Sequence, residues 1–231
     1  GDSESNGTRI TVPLAHGTGI AVDQAGNAYV VGLTRQLKEF FTGSITFVDA
    51  PFPLVNAIRS TPTPGFNAFL AQLGPQGNLD FSTFLGGSVP ELELVATDVS
   101  LDPDGNVYVA GNTGADFFVT KVKAPTAETP QWRAGYEFLR GGIGGDDISG
   151  IAVDPDGRAF VVGTTSSADL FPFLSAPNIG FKAVQPSLNG GTDAFAAVLD
   201  PTGRGLVYAT YLGGAGDDTA RGIALDGSGG M

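Results

Sequence analysis

The chain has 231 residues, 42% of them hydrophobic, with 35 glycines, 15 prolines, no cysteine and a formal charge of −12. That charge argues against nucleic acid or anionic membrane as a partner. The lack of cysteine excludes disulfides, thiolate metal sites and a cysteine nucleophile. No apolar run approaches the roughly 18 residues of a membrane span, so membrane insertion is not expected.

In chain order, Gly1–Gly7 is polar, and because it does not begin with Met it reads as a mature end or a boundary. Asn6-Gly-Thr8 fits an N-glycosylation acceptor. Residues 9–14 read as an edge strand, since Pro13 is tolerated there. A hairpin is expected at about 18–33, around Asp23-Gln-Ala-Gly26. Within 34–66, Lys38–Phe41 is a poor helix candidate, Ile45–Val48 a short strand, and Pro51, Pro53, Pro62 and Pro64 mark a wandering connection. Strands are then expected at 68–73, 79–85, 95–101, 107–111, 116–122, 132–139, 148–153, 159–163, 193–199 and 206–212, with a connection over 164–192.

One ten-residue stretch organises this list. Asp154-Pro-Asp-Gly-Arg-Ala-Phe-Val-Val-Gly163 recurs as Asp102-Pro-Asp-Gly-Asn-Val-Tyr-Val-Ala-Gly111 and as Asp23-Gln-Ala-Gly-Asn-Ala-Tyr-Val-Val-Gly32. A truncated copy starts at Asp226. Aspartate suits the first position of a type I turn, proline the second, and a glycine with φ > 0 the last. Each copy is therefore a three-residue β-hairpin loop with a bulge, with Asp23/Gly26, Asp102/Gly105, Asp154/Gly157 and Asp226 as its turn residues. The strand after each glycine is apolar on both faces, as in Val107–Ala110, so both sheet faces are expected to be covered. Four strands in a unit of about 50 residues is a propeller-blade pattern.

The stretches Phe138–Asp154 and Tyr208–Asp226, with their Gly-Gly bends and Gly-Ile-Ala-Val/Leu-Asp endings, resemble the SBBP β-propeller repeat family of bacteria and archaea. So does the connection from Thr164 to Phe195. The resemblance covers 67–231 well and 18–33 in part. It implies an extracellular or cell-surface localisation, a role in adhesion or surface structure, and no shared catalytic residues. The chain departs from the pattern at Val89-Pro-Glu-Leu-Glu93, which replaces the Gly-Asp-Asp segment, and in a missing last strand.

The expected layout is a single all-β propeller-like domain of about four blades. It comprises a partial blade 9–33, an insertion 34–66, blades 67–111 and 116–163, an insertion 164–192 and an incomplete blade 193–231. The termini are expected to pair within one chain, to join two chains in one ring, or to complete each other between subunits through open sheet edges. The last arrangement, repeated head to tail, builds a filament. A fragment of a longer propeller is the remaining reading.

Candidate chemistry is sparse. Asp102/Asp104 and Asp154/Asp156 resemble the start of a calcium loop but lack its distal ligands. Asp146, Asp147, Asp217 and Asp218 follow glycine-rich bends and are candidates for calcium or for capping backbone amides. Glu91 and Glu93 read as a solvated pair, and His16, the one histidine, as a surface residue in a turn. Trp132 stands where Leu79 and Leu206 stand in other units, which favours core packing. The expected function is a non-catalytic extracellular structural or adhesion protein that self-associates, with no cofactor. The alternatives are a glycan- or calcium-binding surface module, then a propeller lyase or lactonase.

Overall fold

The structure is a computed structural model that describes residues 8–11, 15–36, 40–42, 45–48, 52–63, 65–86, 93–175 and 180–226. Its strands are β1 (Thr8–Thr11), β2 (Ala15–Val22), β3 (Ala28–Gln36), β4 (Phe40–Thr42), β5 (Ile45–Val48), β6 (Gly65–Leu73), β7 (Leu79–Phe84), β8 (Val95–Leu101), β9 (Val107–Thr113), β10 (Asp116–Lys123), β11 (Arg133–Arg140), β12 (Asp146–Val153), β13 (Ala159–Thr165), β14 (Asp193–Leu199) and β15 (Leu206–Leu212). Three four-stranded antiparallel sheets run β2-β3-β6-β7, β8-β9-β10-β11 and β12-β13-β14-β15. A further sheet, β1-β5-β4, joins β1 and β5 in parallel. The only helical element among the described residues is a 3-10 turn at Pro172–Ser175. Glu91, Pro13 and Asn6 lie outside the described residues.

The sheets are phased two strands away from the units read in the sequence. Strands β6 and β7 belong with β2 and β3, not with the 95–111 hairpin, and β14 and β15 complete the third sheet instead of starting a fourth. The reason lies in the turns. Each Asp-x-x-Gly turn joins the first two strands of a sheet, and the next pair continues the same antiparallel meander. Crossing to the next sheet happens at the Gly-Gly bend. Residues 34–66 and 164–192 are therefore insertions inside sheets, and each lies against its own sheet's fourth strand. Val55 N donates to Ser82 Oγ (2.8 Å) in the first, and Gln185 N to Thr210 Oγ1 (2.8 Å) in the third.

The turns are those expected. Gly26, Gly105 and Gly157 have φ of 84°, 78° and 79°, and each donates its N–H to the carbonyl of the aspartate three residues earlier at 3.0 Å. His16 lies in β2, opposite Leu33, and not in a turn; it is exposed.

The sheets stack face to face. Tyr29, Val31, Leu70 and Phe81 of the first meet Val99, Val107, Val109 and Phe118 of the second. Tyr108, Ala110 and Phe117 on the opposite face of the second meet Ile151, Val161 and Phe195 of the third. The four residues Val107–Ala110 are all fully buried because alternate side chains enter two different cores. Complete burial of a Val or Phe side chain is worth roughly 1.5–3 kcal/mol. Trp132 stacks on Phe81 with ring centroids 4.9 Å apart, in the first core.

The first strands of the sheets, β2, β8 and β12, run side by side. Thr18 Oγ1 donates to Ala96 O (2.6 Å), and Asp98 Oδ2 accepts from Ile151 N (3.0 Å). Residues 219–226 continue this row without joining a ladder: Ser149 Oγ donates to Ala220 O (2.7 Å), as Thr18 does to Ala96. At each sheet's first hairpin a bulge falls at the same place, at Gly17/Gly19, Ala96/Asp98 and Ile148/Gly150. A glycine stands opposite it in β3, β9 and β13. A Cβ on Gly163 would strike Asp147 O and come within 2.7 Å of the Phe195 ring, and one on Gly111 within 2.6 Å of the Phe118 ring.

Gly163→Ala is therefore expected to destabilise the protein by about 1–3 kcal/mol through overpacking, read as a lower urea midpoint. Gly216, with nothing within 4 Å of its Cβ position, is the control: Gly216→Ala should stay within about 0.5 kcal/mol. Equal effects of the two changes would refute the steric account.

Candidate functional site

The three Asp-x-x-Gly turns converge at one end of the row of first strands. With Val22, Leu101 and Val153 they line an open well of about 510 Å³. All three sheets contribute to this well.

Their aspartates point inward and are fully used. Asp102 Oδ1 accepts from the N–H groups of Asp104 (3.1 Å) and Asn106 (2.9 Å), and Oδ2 from Asn106 Nδ2 (2.8 Å) and Tyr108 OH (3.0 Å). Lys121 Nζ lies 3.5 Å from the same Oδ2, bonds the Tyr108 hydroxyl and sits over its ring. Asp23 repeats the pattern with Ala25, Asn27 and Tyr29. Asp154 keeps the two backbone bonds, to Asp156 and Arg158. There Arg158 replaces the asparagine and pairs through Nε at 2.6 Å, while Phe160 replaces the tyrosine and lies beneath the guanidinium. The donor from six residues on is thus absent at Asp154, and the guanidinium takes over the pairing of Oδ2. The calcium-loop resemblance of Asp102/Asp104 and Asp154/Asp156 is thus spent on turn formation. Asp104 and Asp156 are exposed.

These bonds set the electrostatics. Burial acts to raise the Asp23 carboxyl, but hydrogen bonds from Asn27, Tyr29 and Ala25 outweigh it and hold it below the usual carboxylate value. The Asp200 carboxyl is lowered chiefly by the Thr202 hydroxyl. Burial, then the Asp23 charge, pushes Tyr29 up to about 12. Burial and Asp102 raise Tyr108 further, and burial with Asp200 raises Tyr136.

The aspartates after the glycine bends are divided by the structure. Asp146 is buried and caps: Oδ2 accepts from Gly142 N (2.7 Å) and Ser167 Oγ (2.8 Å), and Oδ1 from the Thr165 hydroxyl. Asp147, next along β12, is exposed. Asp218 is the counterpart of Asp146, its Oδ2 accepting from Gly214 N (2.6 Å), whereas Asp217 accepts from Thr192 N (3.1 Å). The two Asp-Asp pairs are thus one residue out of step, because Gly145 has no glycine counterpart before Asp218. Asp226 is exposed, and the residues that would finish its turn lie outside those described. Glu93 is exposed. Among the described residues no three His, Asp or Glu side chains gather as a metal group, and no helix is long and apolar enough to cross a membrane.

Sequence reading missed the partners four and six residues after each aspartate. The signal was there, as Asp-x-x-Gly-Asn-x-Tyr at 23–29 and 102–108. It also missed Thr165, Ser167 and Asp193, which act across the gap between elements.

A tyrosine raised in the folded state favours folding below its unfolded value near 10, and this contribution is lost as pH rises through the folded value. Stability should therefore fall from about pH 10 upward. Tyr108→Phe is expected to cost about 1 kcal/mol at neutral pH and to flatten that alkaline loss. An unchanged alkaline slope in urea midpoints would contradict it.

The family model of the SBBP β-propeller repeat matches residues 7–35, 71–118 and 140–172. Each matched stretch holds one of the hairpins at 23–26, 102–105 and 154–157. No curated protein matches the chain. The chain thus carries the SBBP β-propeller repeat at three places, and the hairpin in each opens one of the three four-stranded sheets.

Proposed function

We propose that this protein is a non-catalytic structural or adhesion component of the extracellular surface, built by association of propeller stacks. One observation carries the reading: the stack ends on faces that the repeat covers everywhere else. On β8 and β12 the first two apolar residues of the repeat, Val99/Leu101 and Ile151/Val153, are covered by the preceding sheet. On β2 the same positions, Ile20 and Val22, are 64% and 62% exposed.

At the other end, residues 219–226 lie along β12 where a fourth sheet's first strand would lie. The occupant we assign to the β2 face is this end of another copy, which carries the surface type that covers β8 and β12 within one chain. Such contact is heterologous and gives a ring if it closes or a filament if it does not. Burying Ile20 and Val22 adds to association in proportion to area. The spent turn carboxylates, which leave the well without an acid–base pair, support the non-catalytic part of the reading.

Light scattering over a concentration series should show oligomers that grow with concentration. Ile20→Lys with Val22→Lys should leave a folded monomer. A wild-type chain that stays monomeric throughout, or a double variant that still assembles, would overturn the assignment.

A further inference from the structure

The bend after each sheet's fourth strand draws on the same three places, with different side chains. Each combines a glycine after the fourth strand, one residue near the start of the third strand and one from four positions before the next repeat's Gly or Asp. Between the first and second sheets these are Gly86, Asn67 and Leu94, and Leu94 fills the place where a Gly86 Cβ would go. Between the second and third they are Gly141, Asp116 and Asp146. Here Asp146 has three donors, two of them the Thr165 and Ser167 hydroxyls of the next sheet.

The third bend has Gly213, Asp193 and Asp218. A Cβ on Gly213 would meet Asp193 Oδ1 at 2.5 Å and Asp218 Oδ2 at 2.9 Å, so both carboxylates converge on one point. Asp193 is completely buried. Its Oδ2 accepts from Gln185 Nε2 (2.6 Å) and Asn189 N (2.8 Å), but its buried Oδ1 has no hydrogen-bond partner. Asp218 Oδ2 accepts from Gly214 N (2.6 Å). No ion pair among the described residues includes either aspartate.

Two carboxylates with one orphaned buried oxygen leave a deficit of positive charge, which is costly unless something fills it. The geometry points to a divalent cation, calcium, held between Asp193 Oδ1 and Asp218 Oδ2. Calcium bonds oxygens at about 2.3–2.6 Å and takes six to eight of them, so water would complete the shell beside the two carboxylates. Mg²⁺, with its shorter bonds and strict octahedron, fits a two-carboxylate cradle less well. The half-buried Asp218 and exposed Gly214 give the ion its entry. A site with two protein carboxylates belongs to the weak class, with a dissociation constant of roughly 10⁻⁴–10⁻³ M.

The test is calorimetric titration of the EDTA-treated full chain with calcium chloride, alongside thermal unfolding. Saturable binding is expected, with a rise in melting temperature of about 2–4 °C at tenfold the dissociation constant. Asp193→Asn should abolish it, Asp218→Asn should weaken it at least about tenfold, and Asp147→Asn should change nothing. Should Asp193→Asn fail to fold, the half-buried Asp218→Asn carries the comparison. No calcium-dependent heat or thermal shift in the wild type, or the same response in Asp218→Asn, would overturn the site.

Discussion

The fully hydrogen-bonded carboxylate at the head of each hairpin, buried at Asp102 and Asp154, is the interaction on which the structure rests. Asp23, Asp102 and Asp154 each close their turn with two backbone amides and use the second oxygen to bind a side chain four residues on. A buried carboxylate costs several kcal/mol unless its lone pairs are filled, so the turn adopts the geometry that fills them. That geometry sets the register of the first two strands, and through it which side chains enter which core. At Asp154 the same second oxygen is held by the Arg158 guanidinium, with Phe160 beneath it in place of the tyrosine.

From that register follows the two-faced character of the sheets. Val107 and Val109 serve one core while Tyr108 and Ala110 serve another. A sheet of this kind is incomplete by itself, and its stability comes from neighbours on both sides. Ile20 and Val22 lie on a face that no described sheet of this chain covers, and both are exposed. The long insertions offset part of this at the outer edge. Phe52, for example, packs on Phe69 and Phe84 with centroids 4.7 and 5.6 Å apart.

The bends between sheets show how the same backbone tolerates different polarity. Where Leu94 replaces the aspartate, the Thr113 hydroxyl that would have met it is buried without a partner. The corresponding Thr165 bonds Asp146. Asp146 and Thr165 face each other on adjacent strands of one sheet, so a change on one strand leaves an orphan on the other. Asp193 is the same imbalance with the opposite sign: an acceptor remains and its donors do not.

Much of this was legible in the chain itself. The Asp-x-x-Gly recurrence determined the hairpins, and the unbroken apolar runs at Val107–Ala110 and Phe160–Val162 determined that both sheet faces are covered, because turn chemistry and periodicity are local. The Gly-Gly bends and Gly-Ile-Ala-Val/Leu-Asp endings carried the resemblance to the SBBP repeat. The tertiary structure alone decided the phase of the sheets, since a sequence repeat has no natural starting strand and only hydrogen bonding shows that β6 pairs with β3. It alone separated Asp146 from Asp147 and aligned Asp146 with Asp218. It also alone exposed the convergence of Asp193 on Asp218, residues 25 apart, because their meeting depends on β14 pairing with β15 and on the bend that follows, not on any spacing along the chain.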